Sequence, residues 1–149
     1  MPTDLLERLR RVVSGAGDRT ERAARAAELI RGETGYRWVG IYDVLPAEIA
    51  VIAWNGPGAP THPRFPRSRG LNGAAADTGA PIVVQDVSKD PRYLATLGTT
   101  RSEAIFPVKH AAGEVLGTLD VESDRANAFT EAECARLEEC AEALAPLWT

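Results

Sequence analysis

The stretch "TRSEAIFPVKHAAGEVLGTLDVES" (residues 100–123) decides how this chain is read. "SEAIFPVK" (102–109) and "EVLGTLDVES" (114–123) each alternate polar and apolar residues, which predicts two strands around an "AAG" turn. Alternate residues of a strand share a face. Glu103 and Ile105 therefore face one way, and Ala104, Phe106 and Val108 the other. In the second strand Thr118, Asp120 and Glu122 share a face, opposite Leu119 and Val121. The apolar set is expected to meet helices. If Ala112-Gly113 forms a two-residue loop, Glu103 lies opposite Glu122 and Ile105 opposite Asp120. If Ala111-Ala112 is the loop, Glu103 faces Asp120 instead. Either register sets a carboxylate across from a carboxylate, which destabilises unless a cation compensates or an acid is protonated.

Three readings of these acids stand side by side. They form a solvated face partnered by Arg101 or Arg125, a pocket for a cationic group such as an ammonium, or a divalent-metal site. His62 and His110 are the only histidines and have no metal-ligand spacing, and nothing resembles a calcium loop, so no metal or cofactor is expected.

The flanking sequence predicts the rest of the architecture. Leu5, Leu6, Leu9, Val12 and Val13 recur at helical spacing over residues 3–14. Asp18 is a candidate N-cap for an alanine-rich helix with Ala23, Ala27 and Ile30 on one stripe, ended by Gly32 or Gly35. "YRWVGIYDVL" (36–45) and "EIAVIAWNG" (48–56) read as a hairpin. A long Pro/Gly/Arg-rich loop follows, with one short strand at Arg64–Phe65. "LNGAAADTG" (71–79) reads as a short helix, "PIVVQDV" (81–87) as a strand, and Asp90-Pro91 as the start of a turn or helical stretch through Leu97. "FTEAECARLEECAEALAPLW" (129–148) is the closing helix, with Thr130 and Glu133 as a capping box and Ala132, Leu137, Ala141 and Leu144 on its inner face. The expected class is α+β: a mainly antiparallel central sheet, terminal helices packed on one side, a ligand pocket on the other, all in a single domain over residues 1–149.

The chain has 149 residues, a net charge of −4 and 44% hydrophobic residues, enough to bury a core without disulfides or metals. The acidic balance argues against nucleic acid, and no apolar run is long enough for a membrane span. With no signal-peptide core in "MPTDLLERLRRVV", a cytoplasmic protein is expected. Cys134 and Cys140 sit six residues apart on one helix, roughly 9 Å along its axis, too far to bridge. In "THPRFPRSR" (61–69), Arg64, Arg67, Arg69 and His62 read either as solvated groups or as the source of one arginine that pairs with a ligand carboxylate. Trp38 and Tyr42 share strand parity and are read as core, Trp54 as a pocket wall, Asp86 as a cap, and Tyr93 as a cavity residue.

In element order and in four motifs the chain resembles a GAF domain over roughly residues 20–145, and within that family the free methionine-R-sulfoxide reductases. The motifs are "YRWVGIYDV", "FPRSRGLNGAAADTG", "DVSKDPRYLATLGTTRSEAIFPV" and "VLGTLDVESDRANAFTEAE". The resemblance implies a pocket over the sheet for a free amino acid. It casts Glu103, Asp120 and Glu122, in the "S-E" and "D-x-[DE]-S" motifs, as ligand-binding acids. The reductases carry a catalytic cysteine in a "YLAC"-like context and a resolving cysteine in an "RGxCG"-like turn. Here those places hold Thr96 and Asn72. A threonine hydroxyl cannot replace a thiolate. The sequence is therefore read as a non-catalytic, small-molecule-binding sensor for an amine-bearing or zwitterionic metabolite, such as a free amino acid, with Glu103, Asp120, Glu122, Trp54, Tyr93, Thr96 and Asn72 as ligand contacts. A reductase-like enzyme and a dimerising module with a silent cavity are the alternatives, and under any of the three a homodimer is a candidate assembly, with residues 1–17, the N-terminal helix and linker, as a candidate contributor. Cyclic nucleotides rank low, because an acid-lined pocket repels phosphate.

Overall fold

The computed structural model describes residues 2–149, with side chains from Asp4 onward. The chain runs α1 (Pro2–Ser14), α2 (Arg19–Thr34), β1 (Trp38–Val44), β2 (Glu48–Asn55), β3 (Arg64–Pro66), α3 (Gly70–Thr78), β4 (Ile82–Val84), β5 (Ser102–Lys109), β6 (Val115–Ser123) and α4 (Glu131–Ala143). The six strands form one sheet in the order β3-β2-β1-β6-β5-β4, antiparallel at every pairing.

Helices α1, α2 and α4 cover one face. Leu5, Leu9 and Val13 of α1, Ala23, Ala27 and Ile30 of α2, and Leu137 and Cys140 of α4 pack on Val39, Ile41, Ala104, Phe106, Leu119 and Val121 of the sheet. The alanines let α2 lie close to the strands, and Asp18 closes its N-terminus in a full capping box with Glu21, while Gly35 ends it in the left-handed conformation. Arg19 pairs with Asp43 at 2.8 Å, and Trp148 Nε1 donates to the other oxygen of Asp43 at 2.9 Å, which fastens α2 and the C-terminus to β1. Gly117 is required here: a Cβ would lie 2.4 Å from the Tyr42 carbonyl and 2.2 Å from the Trp148 ring.

Several boundaries differ from the sequence reading. The strand expected over 81–87 is only Ile82–Val84, because Asp86 turns the chain into a short 3₁₀ segment, Val87–Lys89, by accepting from Ser88 N at 3.1 Å. Of the two alternatives at Asp90-Pro91 the structure adopts the turn, with Tyr93 N donating to Asp90 O at 3.2 Å, and the rest of residues 91–100 is irregular. Helix α4 stops at Ala143 and a 3₁₀ segment, Ala145–Trp148, replaces its last turn, since Pro146 has no amide hydrogen to continue the ladder. Ala132 is exposed and Cys140 takes the buried position instead. Thr130 caps α4 by accepting from Glu133 N, but the Glu133 carboxylate is taken by the Tyr36 hydroxyl, so the reciprocal half of the box is absent.

Candidate functional site

The β5–β6 pairing settles the register. Glu103 pairs with Glu122, Ile105 with Asp120 and Pro107 with Thr118. The turn reaches that register by a route the sequence did not suggest. His110 N donates to Glu114 O, Gly113 N donates to His110 O, and a bulge between Val108 and Lys109 absorbs the extra residue. Strand β1 pairs with the other edge of β6, setting Trp38 beside Glu122, Gly40 beside Asp120 and Tyr42 beside Thr118. All of these side chains project from the face away from α1, α2 and α4. Gly40 leaves a gap in that row, and the Trp38 indole lies across it: a Cβ at Gly40 would meet the ring at 2.3 Å.

Glu103, Asp120 and Glu122 are 2%, 0% and 0% exposed. One oxygen from each lies within 4.8 Å of the others. Helix α3 and the irregular segment after β4 roof them. From α3, Asn72 Nδ2 donates to Asp120 Oδ2 at 3.1 Å, and Asn72 Oδ1 accepts from the Thr118 hydroxyl at 2.6 Å. The Thr100 hydroxyl donates to Glu122 Oε1 at 2.7 Å. Glu103 Oε1, Asp120 Oδ1 and Glu122 Oε2 have no hydrogen-bond partner. Neither Arg101 nor Arg125 forms an ion pair with the acids among the described residues, so the solvated-face reading does not hold: the face is buried.

Burial dominates the electrostatics. It pushes the Glu103 carboxyl well above its ordinary range, and the charges of Asp120 and Glu122 add to this. Burial, with the Asp120 charge, lifts Glu122 to about 8, against the help of the Thr100 hydroxyl. Asp120 is also raised by burial, with its contacts to Glu103 and Asn72 working the other way. Tyr42 is held protonated by its burial and by the same three carboxylates.

A space of about 10 Å³ remains beside Glu103, bounded by Tyr42, His62, Phe65, Leu94 and Thr96 among others; this is room for one water-sized group. Its roof is fastened where Thr61 N and Oγ1 both donate to Thr96 O, at 3.1 and 2.9 Å. The structure thus brings Asn72, Thr96 and the three acids together. Trp54 stands one strand further out, stacked on Trp38 with ring centres 6.5 Å apart. Tyr93 is half-buried and borders a separate outer groove. Arg64 is committed to Glu48 on the neighbouring strand. Thr100, His62, Trp38 and Tyr42 escaped the sequence reading of the site. The shared parity of Trp38 and Tyr42 was visible, but not that β1 lies beside β6.

The GAF domain profile matches residues 18–146. The chain belongs to the GAF domain family. This GAF domain is 30% identical over 129 residues to GAF domain-containing protein A of Dictyostelium discoideum, across 86% of this chain and 80% of that protein. It superposes on the free methionine-R-sulfoxide reductase of Neisseria meningitidis, solved in complex with its substrate, with a TM-score of 0.87 and 30% identity over 99% of this chain and 87% of the other. The type II free methionine-R-sulfoxide reductase of Thermoplasma acidophilum aligns with a TM-score of 0.80 and 28% identity, over 97% and 94% of the two chains. The two thiols of this GAF domain are not at the acid cluster. Cys140 and Cys134 belong to α4 and pack into the helical layer, with the sheet between them and the carboxylates.

Proposed function

We propose that this GAF domain binds a small metabolite by its cationic group, an amine or the ammonium end of a zwitterion such as a free amino acid, without thiol catalysis. The observation that carries the reading is the set of three unpartnered oxygens on three buried carboxylates. An ammonium group has three N–H donors and no acceptor, which matches that set in number and kind. Its charge relieves the repulsion that otherwise keeps protons on the acids. The likeness of the chain to the Neisseria reductase, whose structure holds its substrate, supports the same reading. Reduction of a sulfoxide by that chemistry needs a thiolate at the ligand, and the positions facing the acids here are Thr96 and Asn72.

The test is thermal unfolding against free amino acids, methionine sulfoxide, simple amines, cyclic nucleotides and the chlorides of magnesium and calcium. A ligand at about a hundred times its Kd stabilises the native state by about 2.7 kcal/mol, an upward shift of several degrees. The expected result is a shift with an amine or amino acid that disappears in Glu103→Gln and Asp120→Asn. A shift with the metal salts alone, or an affinity unchanged in both variants, overturns the assignment.

A further inference from the structure

The space beside Glu103 has room for one water-sized group and nothing larger. A groove of about 670 Å³ opens next to it, along the outside of α3, bordered by Arg67, Arg69, Asp77, Arg92, Tyr93 and Leu94 among others. Gly70 and Leu94 border both the groove and the inner space. Tyr93 faces the groove and packs against the buried cluster of Leu71, Val87 and Ile105 beneath α3. Gly70 has a φ of 76°, and a Cβ there would press on Leu94 at 3.2 Å, so glycine keeps the wall between the groove and the inner space thin at this point.

The groove's charge is the reverse of the chamber's. Arg92 is spent on Asp90, with bonds of 3.0 and 2.7 Å. Arg67 donates one Nη hydrogen to Leu45 O at 3.2 Å and forms no ion pair among the described residues. Arg69 is exposed, caps α3 by its backbone alone, and is likewise without an ion pair among the described residues. Two arginines without an ion pair among the described residues thus line the groove, against the single carboxylate of Asp77. Guanidinium groups match carboxylates and phosphates with paired N–H donors.

We infer that the groove holds the tail of the same ligand, and that this tail ends in an anionic group, a carboxylate or a phosphate, held by Arg67 and Arg69 while the amine lies at Glu103. The inference rests on the acid chamber being the amine site. It makes the ligand class an amine with an anionic end beyond the length of an α-amino acid, its two charges spaced across the wall formed by Gly70 and Leu94.

Binding of ω-amino carboxylates and of ω-aminoalkyl phosphates, each in a series of increasing chain length, is compared with that of the alkylamines of matching length by calorimetry. The wild type is set against Arg69→Ala, Arg67→Gln and the double variant. In the wild type one length of tailed amine is expected to bind about tenfold or more tighter than its alkylamine. That advantage is expected to vanish in the double variant, while alkylamine affinity stays unchanged. The carboxylate and phosphate series show which anion the groove prefers. Equal affinity of tailed and plain amines, or an advantage that survives in the double variant, overturns the groove assignment and leaves the chamber standing. Failure of every amine to bind removes the chamber reading, and the groove inference with it.

Discussion

Asn72 uses both ends of its amide inside the site, donating to Asp120 and accepting from Thr118. The sequence reading placed it as a ligand contact because it stands where the reductases carry a cysteine. The geometry gives it a second task, which is to hold Asp120 in the orientation that leaves Oδ1 free. Asn72→Ala would strand an acceptor and a hydroxyl in a buried place, at a cost of about 1–3 kcal/mol. Urea unfolding at neutral pH checks this, and an unchanged midpoint would mean that water replaces the amide at no loss. Trp38 shows the limit of residue-level reading. Its aromatic ring was legible as buried, but its position over Gly40, beside Asp120, depends on a neighbour strand some eighty residues away.

At the level of elements, the β5–β6 pair is where alternation was most informative. Which side chains face the helices followed from periodicity alone, and one of the two candidate registers is the one adopted. The loop that produces it was not legible, because a bulge restores the same pairing as a shorter turn and leaves no compositional mark beyond Gly113, whose φ is 93°. Helix caps were more readable, since a cap is a local contact: Asp18, Gly35 and Gly79 all act where their residue types suggest. Strand β6 also carries a constraint that only packing reveals. Gly117→Ala would drive a methyl into the Tyr42 carbonyl and the Trp148 ring, and is expected to cost about 1–3 kcal/mol through overpacking. The urea midpoint and the fluorescence of Trp148 would both move; a silent substitution would show that the C-terminal segment lifts away without penalty.

For the whole molecule, the acid cluster couples folding to pH. Glu122 titrates near 8 in the folded chain against an ordinary 4.5, and Glu103 is shifted in the same direction. The folded state therefore keeps protons that the unfolded state releases. Stability from this source is complete below 4.5 and is lost as pH rises toward about 8. Asp86 and Asp90, whose carboxyls are held below 3.8 by hydrogen bonds from Ser88 and Arg92, act oppositely and only at the acid end. The unfolding temperature of the ligand-free protein is expected to fall between pH 4.5 and about pH 8, the unfolded and folded values of Glu122, and Glu122→Gln should flatten the slope. A flat wild-type profile would show that the cluster is already neutralised by other means. Binding of a cation should expel protons from the same acids, so affinity should rise with pH through that window. Calorimetry in buffers of different ionisation heat would count the protons released.

The sequence by itself determined the layers and the family. Periodicity sorts residues between two faces of a strand or helix, and the order of elements with four local motifs is enough to identify a GAF domain. Three acids on one strand face were legible for the same reason. Whether they were solvated or buried was not, because burial is decided by what covers them: α3 and the segment carrying Thr96, brought from elsewhere in the chain. Only the tertiary structure closed that roof, joined β1 to β6, and set a groove bordered by Arg67 and Arg69 beside the small space at Glu103. The physical reason is range. Periodicity and caps act between residues a few positions apart, while the burial that holds protons on Glu103 and Glu122, and the neighbouring charges that add to it, come from groups that meet only when the sheet has formed.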